Sequence, residues 1–277
     1  MLTLETKLEP SLLQILSGQL RLKVLRLYKQ ANAGHIGCSL SCIDLLIAAL
    51  IHHKRPHDSF ILSKGHAAAA LYVALNHLGE ISDEVLDTFY LDGTTLPAHP
   101  APNQHKGIPF ATGSLGHGLP IGTGIAHANK LSNEEAYSFV LMSDGETNEG
   151  TTWEAAHYAI QNQLDYLIVL IDKNGLQGFG NTHEILGETA SVTKWQAIGF
   201  DVFEADGHST IELIETINLL KTRKNGLPKV IIANTVKGKG VSYMENRMEW
   251  HYLPMSDALY EQAKNDVLFA YSLNTQD

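Results

Sequence analysis

The chain has 277 residues, 44% of them apolar and 18% charged, with 30 acidic against 20 basic side chains and a formal charge of −10. That length allows one large α/β domain or two small ones, and the acidic balance with no basic patch speaks against nucleic acid as a partner. No apolar run approaches the roughly 20 residues of a membrane span. Two cysteines, Cys38 and Cys42, are too few for a disulfide framework and read as small buried apolar side chains; Met1 to Pro10 carries charges throughout and has no signal-peptide core, so the expectation is a cytoplasmic protein.

In chain order, Leu13, Leu16, Leu20, Val24 and Leu27 recur at helical spacing and predict a helix over 11–31, within an N-terminal helical segment 1–33. Gly34-His35 follows. A second helix is expected to open at Ser41, with Asp44 three residues on as a capping box. Phe60 to Leu62 reads as a short strand, and Ser63-Lys64-Gly65-His66 turns into an Ala-rich helix that stops at Gly79. After a helix over 82–90, the stretch 91–112 is a long loop rich in Pro, Gly and His, a type that is often functional. Gly113-Ser114-Leu115-Gly116-His117-Gly118 opens the next helix, which ends near Lys130. Gly122-Thr123-Gly124 inside it is no dinucleotide fingerprint, because no strand precedes it; a Walker A sequence and a zinc-protease helix are also absent.

The most informative stretch is Tyr137 to Gly175. One apolar strand, Tyr137 to Met142, ends in Ser143-Asp144-Gly145-Glu146-Thr147-Asn148-Glu149-Gly150; a second, Leu167 to Ile171, ends in Asp172-Lys173-Asn174-Gly175. Two buried strands bracketing a helix make a parallel βαβ unit, whose ligands bind beyond the carboxyl ends of the strands. The 30 residues from Asp144 to Asn174 are one crossover, so the two side chains can meet. A carboxylate and an amide oxygen suit Mg²⁺, while Gly145 and the following helix start suit a phosphate. Further on come a helix over 191–198, a strand over 201–204, the turn Asp206-Gly207-His208, a helix over 210–221, a strand over 230–234, a flexible basic loop 237–240 and a last helix over 256–273. Turn chemistry alone accounts for His208. No linker or repeat appears. The expected fold is a single α/β domain over 1–277, a doubly wound, mostly parallel sheet with helices on both faces.

Asp-Gly followed about 30 residues later by Asn is the thiamine diphosphate motif, and the two turns resemble those of transketolase in particular. Gly34-His35-Ile36-Gly37, Ser63-Lys64-Gly65-His66-Ala67, Leu96-Pro97-Ala98-His99-Pro100 and Thr112 to Gly118 follow in transketolase order, so the resemblance spans roughly 20–252. It implies the thiamine diphosphate-binding fold, with thiamine diphosphate held by His66, Gly113, Ser114, Leu115, Asp144, Gly145, Glu146 and Asn174. It implies Mg²⁺, for which Ca²⁺ or Mn²⁺ would substitute, on Asp144, Asn174 and the Leu176 carbonyl. His35, His66, His99 and His251 would line the substrate channel, and Glu149 and Glu154 would relay a proton at a subunit interface. The chain departs from the pattern at Ser143 and Lys173, neither of which removes a metal ligand, and at His117, where many full-length transketolases have Gln, a change expected to alter aminopyrimidine-side or substrate-side contacts.

A full transketolase continues into a second and a third domain. The resemblance therefore implies the N-terminal subunit of a split transketolase, paired with a C-terminal subunit carrying the pyrimidine-binding domain in an α2β2 heterotetramer. The reaction implied is transfer of a two-carbon ketol unit from a ketose, expected to be a phosphosugar, to an aldehyde. A deoxyxylulose phosphate synthase-like or 2-oxoacid dehydrogenase-like subunit, and a non-catalytic scaffold, are the alternatives.

Overall fold

In the computed structural model, residues 9–102 and 104–274 are described, so the first eight residues of the expected N-terminal segment lie outside them. Five strands form one sheet in the order β1-β2-β3-β5-β4: β1 Ser59–Leu62, β2 Ser138–Ser143, β3 Leu167–Lys173, β4 Asp201–Asp206 and β5 Lys229–Asn234. Every neighbouring pair is parallel. The expected strands are thus all present, and the sheet is wholly rather than mostly parallel.

The strands read as near-continuous apolar runs because both faces are covered. Alternate residues feed different layers, as the two-residue period of a strand requires. Phe139, Leu141, Ile168, Leu170, Ile231 and Ala233 enter one core, with Leu20, Val24 and Leu27 of helix α1 (Pro10–Ala31) and Leu213 and Ile217 of α10 (Thr210–Thr222). Val140, Met142, Val169, Ile171, Val230 and Ile232 enter the other. There they meet α6 (Gly118–Leu131), α7 (Gly150–Gln161) and Trp195 of α9 (Val192–Ile198). The chain runs β1, β2, β3, passes over one position to β4, and returns to insert β5. The helix connecting β4 to β5 therefore lies on the opposite face from the one connecting β2 to β3, as right-handed crossovers demand.

Two local expectations fail. The second helix begins at Ile36, as α2 (Ile36–Ser41), continues as α3 (Ile43–Leu46) and closes in a π-helical turn over Ile47–His53. Ser41 and Asp44 form no capping box, because both side chains are spent on long-range partners. Ser41 Oγ donates to Asp172 at 2.6 Å. Asp44 accepts from Arg21 at 2.7 Å, Ser17 at 2.6 Å, Thr210 at 3.1 Å and His208 Nδ1 at 3.2 Å. The basic loop 237–240 is not free either: Lys237 is fully buried.

The Arg21–Asp44 pair is sequestered from water, with side-chain exposures of 0% and 3%. Removing one member of such a pair leaves an uncompensated charge, which costs about 3–5 kcal/mol. Asp44→Ala should therefore lower the unfolding free energy by that amount, seen as a lower urea midpoint with the slope unchanged; a loss below about 1 kcal/mol would show the pair to be dispensable.

Candidate active site

Asp144 follows β2 directly and is buried. One carboxylate oxygen accepts from Gly145 N–H at 2.8 Å; the other accepts from Gly175 N–H at 2.7 Å and Thr182 Oγ1 at 3.1 Å. Burial, then the neighbouring Asp172 charge, push its pKa up to about 6 against the pull of those donors. Asn174, at the end of β3, is buried too, and its Oδ1 accepts from Leu176 N–H at 3.1 Å. The Leu176 carbonyl faces Lys237 Nζ at 3.3 Å. The three residues expected to ligate a metal thus sit at two adjacent strand ends. Among the described residues neither Asp144 nor Lys237 is in an ion pair.

A buried carboxylate and a buried ammonium at opposite ends of one polar turn, each lacking a countercharge, fit a cation bound together with a polyanion. The cradle between them supports that fit. An added Cβ at Gly145 would meet the Gln177 side chain at 2.9 Å, so glycine lets Gln177 pack directly on this turn. Gln177 Nε2 is buried and has no hydrogen-bond partner among the described residues. An unsatisfied buried amide donor beside the turn is what a phosphate oxygen would satisfy.

Beside the cradle the four expected histidines converge from four chain segments. The His35 ring centroid lies 5.6 Å from that of His66, 5.9 Å from that of His99 and 5.0 Å from that of His251, and His66 stacks on His251 at 5.6 Å. His35 is held in the left-handed region, φ 70°, and its N–H donates to the His251 carbonyl at 3.0 Å. A non-glycine residue there carries backbone strain that tends to collect at functional sites. His99 packs on Gly113, whose φ is +130° and where a Cβ would lie 2.6 Å from the ring. Burial holds His66 and His99 below the ordinary imidazole value, so both are neutral donors and acceptors near pH 7.

The remaining expected residues fall into two groups. Gly113, Ser114 and Leu115 form the loop before α6, beside the histidines. Glu146 lies beneath that loop, fully buried, where its Oε1 accepts from Ser63 Oγ and from Gly116 N–H at 2.9 Å, while Oε2 makes no hydrogen bond of ordinary geometry among the described residues. It therefore organises the loop from below. Glu149 and Glu154 are both exposed, and Glu149 packs against Gly116.

Three participants were not legible from residue types. Lys237 donates to His251 Nδ1 at 2.8 Å as well as to the Leu176 carbonyl. It follows β5 by three residues, so the rule that ligands gather at strand carboxyl ends pointed to it. His208, read as a plain turn residue, accepts from Val236 N–H at 2.8 Å through Nε2 and donates to Asp44 through Nδ1. Gln177 gave no signal beyond its place after Asn174-Gly175.

Comparison with known proteins bears on this arrangement. Residues 14–272 match the family described as transketolase, thiamine diphosphate binding domain. The chain belongs to the transketolase family. It is 39% identical over 264 residues to an apulose-4-phosphate transketolase subunit of Phocaeicola vulgatus, covering 92% of this chain and 93% of that one. It is 36% identical over 241 residues to a 6-deoxy-6-sulfo-D-fructose transketolase subunit of Clostridium sp., covering 84% and 87%. Transketolase from Campylobacter jejuni superposes with a TM-score of 0.85 at 29% identity, and covers 92% of this chain but 42% of its own. The transketolase of Pichia stipitis in complex with sedoheptulose 7-phosphate gives 0.87 at 25% identity, covering 96% and 42%. The chain thus spans about two fifths of the solved transketolases and nearly all of the named transketolase subunits. It is an N-terminal transketolase subunit carrying the thiamine diphosphate binding domain.

Within this transketolase domain Glu146 supplies a pH-dependent term. Burial pushes its pKa from 4.5 up to about 7, against the donors Ser63, Gly116 N–H and Ser143 N–H. A carboxyl whose folded pKa is raised costs nothing when protonated in both states, and its penalty grows as pH rises from about 4.5 to about 7. The ligand-free chain should therefore lose thermal stability over that range relative to Glu146→Gln, which keeps an acceptor for Gly116 N–H and carries no charge. Parallel stability curves for the two proteins from about pH 5 to about pH 8 would show that Glu146 does not titrate there.

Proposed function

We propose that this protein binds thiamine diphosphate with its diphosphate end over the Gly145 floor, between Lys237, Gln177 and His66, and a Mg²⁺ ion on Asp144, Asn174 and the Leu176 carbonyl. The observation that carries this reading is the pair of uncompensated buried charges, Asp144 and Lys237, on either side of an unpartnered Gln177 amide. A non-catalytic scaffold would have no use for that arrangement, which destabilises the chain alone. Bound there, the cofactor supplies an electron sink for a carbanion formed on breaking a ketose carbon–carbon bond.

The protein's own groups would bind and orient the sugar and move its protons. Lys237 can only donate, so His251 Nδ1 is an acceptor and the ring proton sits on Nε2. Neutral His66 and His99 can each take or return a proton at a substrate hydroxyl, since their lowered values keep a free nitrogen available near pH 7. His35 offers a buried Nδ1 with no partner among the described residues. The sugars for which two relatives are named, apulose 4-phosphate and 6-deoxy-6-sulfo-D-fructose, both carry an anionic group, which supports an anionic ketose as donor. A partner chain supplies the pyrimidine-binding half of the site, in a two-plus-two assembly, with Glu149 and Glu154 on the exposed face that meets it.

Calorimetric titration of thiamine diphosphate into the chain co-expressed with its partner should show Mg²⁺-dependent binding that Asp144→Ala abolishes with the fold intact. Unchanged affinity in that variant would refute the metal assignment. Lys237→Met removes a charged donor worth about 1.5–3 kcal/mol and should weaken binding on the order of 10- to 100-fold. Glu149→Ala should impair turnover far more than cofactor retention; equal losses would make its role purely structural.

A further inference from the structure

Cys38 is a first-turn residue of α2, three positions after His35, and its side chain is buried not in the apolar core but against the histidine cluster. Its Sγ lies 3.5 Å from His251 Nδ1. One ligand atom each from His35, Cys38 and His251 falls within 4.8 Å of the others. Cys42, one turn on, is different: its Sγ donates to the Cys38 and Ser39 carbonyls, as in an ordinary helical cysteine. We propose that His35, Cys38 and His251 form a second metal site, selective for a thiophilic divalent cation such as Zn²⁺ and separate from the oxygen ligands of Asp144, Asn174 and Leu176.

Ligand chemistry separates the two sites. Thiolate and imidazole select zinc-class ions, whereas carboxylate, amide and carbonyl oxygens select Mg²⁺. Three protein ligands with an open fourth position match zinc sites that bind an exchangeable group. Zinc–sulfur and zinc–nitrogen bonds of about 2.3 and 2.0–2.1 Å place tetrahedral ligands roughly 3.3–3.6 Å apart, so the three atoms need to close by about an ångström.

Each ligand atom is in a position to bind. His35 Nδ1 is buried with no hydrogen-bond partner among the described residues, and its ring lies against those of His66, His99 and His251. The His251 Nδ1 lone pair already faces a cation, the Lys237 ammonium at 2.8 Å, so a metal would exchange one cation for another. Displaced, Lys237 keeps the Leu176 carbonyl as acceptor. The Cys38 sulfur, unlike that of Cys42, is not spent on a helical carbonyl and faces the His251 imidazole. An ion here would occupy two of the four channel histidines and draw Lys237 off His251. Zinc-class metals are therefore inhibitors of the transketolase reaction, a consequence that rests on the proposed function, whereas the binding itself does not.

The binding is tested on the full 277-residue chain with Co²⁺ as a spectroscopic substitute for zinc. Titration should raise a near-ultraviolet sulfur-to-cobalt charge-transfer band that saturates at one equivalent, and Zn²⁺ should bleach it. Cys38→Ser should lose the band and Cys42→Ser should keep it. In case Cys38→Ser misfolds, His251→Gln retains the thiol and should weaken Co²⁺ binding on the order of 10-fold or more by removing one ligand. No band in the parent chain, a band that survives Cys38→Ser, or one lost equally in Cys42→Ser would each overturn the proposal. Loss of zinc inhibition in an assembled Cys38→Ser enzyme, with the cobalt result already in hand, would separate failure of the site from failure of the transketolase reading.

Discussion

The contact on which the rest of the site depends is the buried ion pair between Lys64 and Asp172, neither of which reaches solvent. Lys64 lies in the turn after β1, and its ammonium also donates to the Cys38 carbonyl at 2.9 Å. Asp172, at the carboxyl end of β3, accepts from Ser41 of α2 and from Thr235, just past β5. Four segments are thereby fixed to one point, and each carries a member of the site within a few residues: His66, Asn174, His35 and Lys237. Attraction across a medium of low dielectric is strong, but so is the desolvation it must offset, and the surrounding hydroxyls and carbonyl tip the balance by giving both carboxylate oxygens and the ammonium further partners. The same Asp172 charge contributes to the raised pKa of Asp144. One pair thus sets both the geometry of the cradle and part of its appetite for a cation.

A second polar knot lies one layer out and makes the first one rigid. Arg21 of α1 and His208, before α10, meet on Asp44 of α3, and His208 then accepts from the backbone of Val236, next to Lys237. Positioning of the Lys237 ammonium is therefore shared by Thr235, held to the end of β3, Val236, held to the helical layer, and Gly238, whose N–H donates to the Gly37 carbonyl. Lysine has a long and flexible stem with considerable rotamer entropy, and backbone fixed on both sides is what makes its tip a defined donor.

The sheet and its order of elements were legible because they rest on short-range pattern: apolar runs of strand length, glycine and asparagine turns, and helical spacing in α1. The Asp144 and Asn174 turns were legible for the same reason, since crossover length alone puts them side by side. Long-range polar pairing was not. Ser41 and Asp44 have the local signature of a helix start, yet both are claimed by partners from distant segments, Asp172 in one case and Arg21 with His208 in the other. Lys237 in a Lys-Gly-Lys-Gly run looks like a mobile surface loop until Gly37 accepts the Gly238 N–H and the chain folds over it. Cys38 and Cys42 are chemically alike in sequence, and only the direction of each side chain separates a core thiol from one against three imidazoles. Glu149 and Glu154 show the opposite limit, because both are exposed and neither residue type nor spacing assigns an exposed glutamate a role.

Among the described residues the chain by itself holds several buried groups in states that cost free energy: a carboxylate with a raised pKa, an ammonium with no carboxylate partner, a glutamate with one unpartnered oxygen and an amide with nothing to donate to. A protein with marginal stability tolerates this only where ligand binding returns more than the groups cost. Since a ligand stabilises the folded state by RT ln(1 + [L]/Kd), a metal and a polyanion that satisfied Asp144, Gln177 and Lys237 together, as proposed, would bind cooperatively, each removing a penalty that the other would otherwise meet. That coupling would reach further than the cradle. Lys237 is the donor to both the Leu176 carbonyl and His251, so an anion that drew its ammonium inward would free the carbonyl and alter the hydrogen bonding of the nearest clustered histidine at once. Under the proposed function, loading of the cradle and readiness of the histidines would be one event, transmitted through a single side chain.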